Sequence, residues 1–111
     1  MKLSDVKGER VFDVIADVID PIANIAEDEE AAAMFKREKL PEGMTAKEFI
    51  VHRLRKSLPI LLKNHKGDLV AILSAIEGVS PDEYADELNI ATLMKGFIEL
   101  MTDDAFVILF T

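Results

Sequence analysis

The sequence predicts an all-α fold, a compact bundle of six or seven short helices that forms a single domain over residues 1–111. Apolar residues recur at helical spacing rather than with the alternation of a strand. Proline, glycine and capping residues separate the apolar segments from one another. A chain of 111 residues is also long enough to bury roughly two-thirds of its unfolded surface without disulfides or a metal.

The first amphipathic segment begins at Val11. Asp13, Asp17 and Asp20 occupy the gaps between apolar residues, which fall at positions 11, 14, 15, 18, 22 and 25. This spacing predicts a helix with one apolar face. Pro21 leaves two possibilities open: Asp20 caps a second short helix with proline in its first turn, or proline kinks one long helix.

The next segment places acids at 27–30 ahead of the apolar residues 31–35, and Lys36, Arg37 and Lys39 follow. Acids at the front and bases at the back suit a helix macrodipole, so a second helix is predicted here. Residues 40–44 contain proline and glycine and predict a loop.

A capping box at residues 45–48, in which Thr45 and Glu48 bond reciprocally, predicts the start of the following helix. Pro59 should bend that helix near Arg55. The run from 69 to 76 is apolar with almost no polar face, which predicts the buried central helix, and Gly78 suits its C-terminal cap.

Two more start signals divide the C-terminal part of the chain. Ser80 with Pro81 and Glu83 supplies an N-cap, a first-turn proline and a capping-box glutamate. Asn89 caps a helix from Ile90 to about Met101. Residues 102–104 can open a last turn or two that carries 106–110.

Charge is distributed in three blocks. The chain carries −8 in total, with −6 over residues 1–35, +6 over 36–66 and −8 over 67–111. Such blocks can pair within one fold or between copies, so electrostatic self-association is a candidate function of this pattern. The residues predicted to carry it are Arg53, Arg55, Lys56, Asp13 and Asp17.

Residues for catalysis or cofactor binding do not converge in the sequence. The chain has no cysteine, and its two histidines, His52 and His65, show no metal-site spacing, so both are predicted to lie on polar faces. The carboxylates at 13, 17 and 20 could hold a divalent cation, but a solvated helix face is the preferred interpretation. We expect no enzyme activity, cofactor or metal, no membrane span, and no nucleic-acid partner for an acidic chain.

The segment from Ile90 to the end is apolar nearly all round, so it is either core or a surface for a partner. For residues 90–101 the core interpretation is preferred, and for 106–110 contact with a partner or another copy is preferred. The residues predicted for client or self-contact are Phe97, Met101, Phe106, Val107, Ile108, Leu109 and Phe110.

The chain resembles the tail assembly chaperones of long-tailed phages and prophages of Gram-positive bacteria. The matching segments are residues 2–10 (KLSDVKGER), 17–25 (DVIDPIANI), 35–38 (FKRE), 59–63 (PILLK), 78–84 (GVSPDEY) and 100–106 (LMTDDAF). The resemblance implies an all-helical cytoplasmic protein of the bacterial host that coats the apolar, helical tape measure protein and gives way to tail tube protein. It also implies homo-oligomers, as rings or spirals, and no catalytic residues.

Two other functions remain open from the sequence. The first is a small acidic helical adaptor or regulator that sequesters a basic protein partner. The second is a helical enzyme or metal carrier built on Asp13, Asp17 and Asp20.

Overall fold

The computed structural model describes residues 1–36 and 39–110, and within them the chain is all-α, as the sequence predicts. Six α-helices in these residues have 7 to 18 residues, and two more are single turns of 4. The helices are α1 (Arg10–Glu27), α2 (Glu29–Ala32), α3 (Ala46–Lys56), α4 (Leu58–Asn64), α5 (Lys66–Glu77), α6 (Pro81–Glu87), α7 (Ile90–Met101) and α8 (Asp104–Val107). The 3₁₀ turns Leu3–Asp5 and Ile108–Phe110 lie near the two ends.

The helix starts predicted from capping residues are confirmed. The side chain of Thr45 accepts a hydrogen bond from the amide of Glu48 at 3.1 Å, and Ser80 accepts one from Glu83 at 3.1 Å. Asn89 accepts one from the Thr92 amide at 3.0 Å. Each bond satisfies an amide that the first turn of a helix leaves without a partner, so the three helices begin where their caps lie.

Pro21 and Pro59 have different effects on the helices that contain them. α1 continues through Pro21 as one helix of 18 residues, which decides between the two possibilities left open above. The single bent helix predicted around Pro59 is instead two helices, α3 and α4, that meet at Ser57. Proline supplies no amide and its ring crowds the carbonyl four residues earlier, so Pro59 is placed in the first turn of α4.

The second predicted helix is shorter than its charge pattern indicates. α2 stops at Ala32, and the chain then turns through Met34 and Phe35. Four of the five residues 31–35 are buried, which a surface helix with one buried face cannot achieve. Arg37, one of the bases predicted at the end of this helix, lies outside the described residues.

The core is built around the packing of α1 against α5. α1 contributes a stripe of buried side chains at a spacing of three and four residues, namely Val14, Val18, Ile22 and Ile25. α5 contributes Leu69, Ile72, Leu73 and Ile76, and its predicted role as the buried central helix is confirmed. Both ends of the chain join the same apolar cluster, through Leu3 and Val6 at one end and Phe106 and Phe110 at the other.

Four phenylalanine rings pack together where the C-terminal segment meets the core. Phe35 lies between the other three, with ring centroids 5.7 Å from Phe97, 5.0 Å from Phe106 and 5.1 Å from Phe110. The Phe35–Phe106 pair is edge-to-face, a favourable geometry for aromatic quadrupoles. The turn after α2 is thereby packed against α7, α8 and the last 3₁₀ turn.

His65, at the junction of α4 and α5, is enclosed by two carboxylates. Its Nε2 lies 2.9 Å from Asp28 Oδ2 and its Nδ1 lies 2.9 Å from Asp68 Oδ2. Burial lowers the pKa of His65, but the hydrogen bonds to Asp68 and Asp28 outweigh burial and raise it above its ordinary value of 6.5. The prediction that both histidines lie on polar faces is therefore wrong for His65, which is buried between charges, while His52 is exposed.

The N-terminal segment is held to the bundle by polar contacts. The Arg10 guanidinium donates to the carbonyl oxygens of Ala75 and Ile76, at 3.1 and 2.8 Å, and so caps the end of α5. Gly78 follows with φ +76°, and a Cβ there would lie 3.1 Å from Arg10 Nη2. Glycine is thus required both by the left-handed backbone and by the arginine.

Replacing Phe106 by alanine should lower the free energy of unfolding by about 3–5 kcal/mol, because it opens a cavity in the middle of the phenylalanine cluster. Ile108→Ala, two residues away on an exposed side chain, should change it by no more than about 0.5 kcal/mol. Urea unfolding followed by circular dichroism measures both. Equal, small effects of the two substitutions would contradict the buried position of Phe106.

His65→Gln should destabilise the protein in a pH-dependent way. Because the folded pKa of His65 is raised, its contribution is fully present below pH 6.5 and is lost as the pH rises through the folded pKa. We expect a deficit of about 1–2 kcal/mol at pH 5.5, where charged hydrogen bonds are lost, and a smaller one at about pH 9. His52→Gln is the matched control, and a His65→Gln deficit that does not vary with pH would contradict the charged state.

Candidate functional site

The C-terminal residues predicted to contact a client are mostly inside the protein. Phe97 is buried, as the core interpretation preferred for residues 90–101 predicts, so its assignment to a client surface is wrong. Phe106, Val107 and Phe110 are also buried, so the prediction that they offer an accessible surface is wrong. They pack inward because Phe35 provides an aromatic partner that the sequence pattern does not reveal. Met101 is half-buried, and Ile108 and Leu109 remain exposed, at 66% and 40%.

A groove runs along α5 on the side that faces α6 and α7. We call it the α5 groove. Its first part has a volume of 380 Å³ and is lined by Leu62, Lys66, Leu69, Val70, Leu73, Tyr84, Leu88 and Leu93. Its second part has a volume of 320 Å³ and is lined by Met1, Leu73, Glu77, Val79, Tyr84, Glu87, Leu88, Thr92, Lys95, Gly96 and Glu99. The two parts are adjacent, and Leu73, Tyr84 and Leu88 line both of them.

Helical spacing on α5 accounts for one wall of the α5 groove. Lys66, Leu69, Val70, Leu73 and Glu77 recur every three or four residues and therefore share one face of the helix. α5 also packs against α1, and this face is flanked by α6, α7 and Leu62 of α4. The cover is incomplete, which leaves apolar side chains at the bottom of an open groove.

α7 forms the other wall of the α5 groove, and Gly96 determines how close this wall lies to α5. A Cβ at this position would lie 3.1 Å from Leu73 Cδ2 and 3.5 Å from the Tyr84 hydroxyl oxygen. The absence of a side chain therefore lets α7 approach α5 and α6 closely at this point. α7 has three different faces as a result: Phe97 and Leu100 in the core, Gly96 and Leu93 along the groove, and exposed apolar side chains at Ile90, Met94 and Ile98.

One end of the α5 groove is acidic. Glu77, Glu87 and Glu99 line it, and the α-amine of Met1 lies 2.7 Å from Glu99 Oε2 and 3.3 Å from Glu77 Oε1. The hydrogen bond to Glu99 raises the pKa of this amine, and burial, which lowers it, is outweighed. Burial raises the pKa of Tyr84, and the charges of Glu77 and Glu99 raise it further. Three carboxylates and two cations, the Met1 amine and Lys95, therefore line this end of the groove.

α1 presents a second apolar surface, beside its buried stripe. Phe12 is 78% exposed, and Ile15 and Ile19 are exposed at the positions three and seven residues later. The predicted self-association residues Asp13 and Asp17 are also exposed and lie next to these side chains along the helix. The sequence reasoning missed Phe12 and Ile19, although an apolar surface wider than one core stripe was the available signal.

The predicted basic residues lie on α3, which packs against α4 and has no buried side chain. Arg53 is half-buried, and its guanidinium carbon lies 4.5 Å from the centre of the Phe49 ring. Arg55 and Lys56 are exposed. Because α3 also exposes Ile50 and Val51, it offers a basic and partly apolar face to solvent.

The metal site considered for Asp13, Asp17 and Asp20 has no support from the fold. Among residues 1–36 and 39–110, no group of three or more His, Asp or Glu side chains is arranged to hold a metal ion. In the same part of the chain, each helix is too short or too polar to cross a bilayer.

Comparison with known proteins finds no matching family model, curated protein or solved structure.

Proposed function

We propose that this protein is a phage or prophage tail assembly chaperone that binds and solubilises the apolar, helical tape measure protein in the cytoplasm of the bacterial host. The observation that carries the proposal is the α5 groove, two adjacent open depressions between helices, of which the first is lined mostly by apolar side chains. Grooves of this kind bind the apolar face of an amphipathic helix. The resemblance to tail assembly chaperones supports the same choice of client.

Binding in the groove meets the physical need of such a client. A long apolar helix aggregates in water unless its apolar face is covered, since the hydrophobic effect favours burial in proportion to area. Val70, Leu88 and Leu93 are half-buried in the groove and keep part of their surface accessible. A client helix gains by covering them, and tail tube protein can later replace the chaperone by competing for the same client surface.

A second candidate function is an acidic adaptor that sequesters a basic protein partner. The observation that favours it is the charge of α6, which has four exposed acids, Asp82, Glu83, Asp86 and Glu87, and no buried side chain. This binding would be dominated by charge and would weaken steeply with salt. Binding of an apolar client in the groove would persist at high salt, which separates the two functions.

The client-binding role can be tested by co-expression with the tape measure protein of the phage or prophage that encodes the chain. The double substitution Val70→Ser and Leu88→Ser removes apolar surface from the groove. It should weaken client binding by about tenfold or more, since covering each side chain contributes on the order of 1 kcal/mol. The soluble fraction of the tape measure protein should fall accordingly.

The control for this experiment is Ile90→Ser with Ile98→Ser, which removes exposed apolar side chains from another face of α7. Circular dichroism establishes that both double variants remain folded. An equal loss of client solubility in the two double variants, or none in either, would argue against the groove as the client site.

We further propose that copies of the chain associate through α1 of one and α3 of the next, which leads to a ring or spiral. Exposed acids beside apolar side chains on α1 complement exposed bases beside apolar side chains on α3. Because the two surfaces differ, the contact is heterologous, and repetition of it either closes a ring or continues as a helix.

Light scattering at tens of micromolar should show oligomers that dissociate at about 1 M salt. Asp13→Lys with Asp17→Lys should abolish association, and so should Arg55→Glu with Lys56→Glu. A mixture of these two double variants should associate again, because each basic surface then meets an acidic one. A monomer at every concentration, or a mixture that stays monomeric, would contradict this interface.

A further inference from the structure

One face of α1 is apolar and exposed to solvent. Phe12 and Ile19 lie on it with 78% and 51% of their surface exposed, and Ala16 and Ala23 are exposed beside them. At about 100° per residue, these four side chains fall within about 60° of one another around the helix axis. No charged residue between positions 12 and 23 falls in this sector. α1 therefore presents an uncharged apolar face over three turns.

The acids of α1 lie on a different face. Asp13, Asp17 and Asp20 project roughly 100° further round the axis than Phe12 and Ile19. The apolar face therefore uses other residues than the charged contact proposed between α1 and α3. A contact on the apolar face goes beyond the proposed function and does not depend on it.

Large and small side chains follow one another along this face in an order that complements its own reverse. A two-fold axis at right angles to α1, midway between positions 17 and 18, puts Phe12 opposite Ala23 of a second copy. The same axis puts Ala16 opposite Ile19 of the second copy. Each large side chain thus meets an alanine, which allows two helices to approach to about 8–10 Å.

We propose that two copies of the chain pair through this face of α1, antiparallel and related by a two-fold axis. A parallel pair would put Phe12 against Phe12, leave a gap between the alanines and align the two helix macrodipoles unfavourably. The antiparallel pair avoids all three. Because the contact is isologous, it closes at a dimer and does not by itself extend into a longer assembly.

The exposed area on this side of α1 suits a weak dimer. Val11, Phe12, Ile15 and Ile19, together with the two alanines, expose on the order of 500 Å² in each copy, of which the aromatic side chain contributes about 150 Å². Pairing then covers about 1,000 Å² in total, the lower limit for a specific interface. We therefore expect a Kd on the order of several hundred micromolar.

Salt distinguishes this dimer from the charged contact between α1 and α3. In the antiparallel pair, Glu9 of one copy lies near Glu27 of the other, because both project to the same edge of the apolar face. These like charges repel each other at low salt. The dimer should therefore become about threefold tighter between about 50 mM and about 1 M salt, whereas the charged contact is lost.

Sedimentation equilibrium at about 1 M salt, from about 20 μM to about 1 mM protein, tests the pairing. Phe12→Ser should weaken the dimer by about tenfold or more, since each dimer loses the side chain twice. Ile90→Ser removes a similarly exposed apolar side chain from α7 and should leave the dimer unchanged. A monomer throughout this range, or equal effects of the two substitutions, would overturn the proposal.

An exchange of side-chain sizes tests the register of the pair. Ala16→Ile puts two large side chains opposite each other and should weaken the dimer, and Ile19→Ala leaves a gap and should weaken it as well. The two substitutions together again set one large side chain against one alanine, so the double variant should dimerise about as well as the unsubstituted chain. A dimer strengthened by Ala16→Ile alone would indicate unspecific apolar association and contradict the register.

Disulfide trapping tests the direction of the pair, since the chain has no cysteine. Phe12→Cys of one copy faces Ala23→Cys of another, whereas two copies of one variant hold their thiols about 16 Å apart along the helix, too far for a disulfide. A mixture in a glutathione redox buffer should give mainly the mixed dimer, with circular dichroism confirming that both variants are folded. Trapping of Ala23→Cys with itself as strong as with Phe12→Cys would overturn the antiparallel arrangement.

Discussion

The position of Phe35 determines how the C-terminal half of the chain is arranged. Its ring touches Phe97, Phe106 and Phe110, and it can do so only because α2 ends after a single turn and redirects the chain inward. The last apolar segment is thereby used for the core. Accessible apolar side chains without such a partner lie on the open face of α5, the flank of α1, the outer face of α7 and α3, and at Ile108 and Leu109.

Charged side chains occur in two settings in the molecule, paired inside the bundle and exposed at its surface. At the junction of α4 and α5 they are internal, since His65 is paired with Asp28 and Asp68 and Asn24 donates to Asp68 at 3.1 Å. This pairing joins the end of α1 to the start of α5, which is the axis of the bundle. On α3 and on α1, charged side chains lie at the surface beside exposed apolar side chains.

Local signals in the sequence predicted local structure well. The caps at Thr45, Ser80 and Asn89 are hydrogen bonds over three residues, so their geometry is specified by neighbouring residues alone. The burial of Phe106 and the pairing of His65 depend on residues far away in the chain, such as Phe35 and Asp28, and periodicity carries no information about them. The α5 groove was missed for the same reason, because it depends on how closely α7 approaches at Gly96.

The exposed position of α3 has a consequence for its dynamics and its variability. A helix with no buried side chain contributes little to the cooperative unit formed by α1 and α5. Its amide protons should exchange with solvent by local opening, at a free energy below that of global unfolding. Substitutions on this helix can then change its surface charge at little expense to the stability of the core, so the chemistry of this surface can diverge while the fold stays the same.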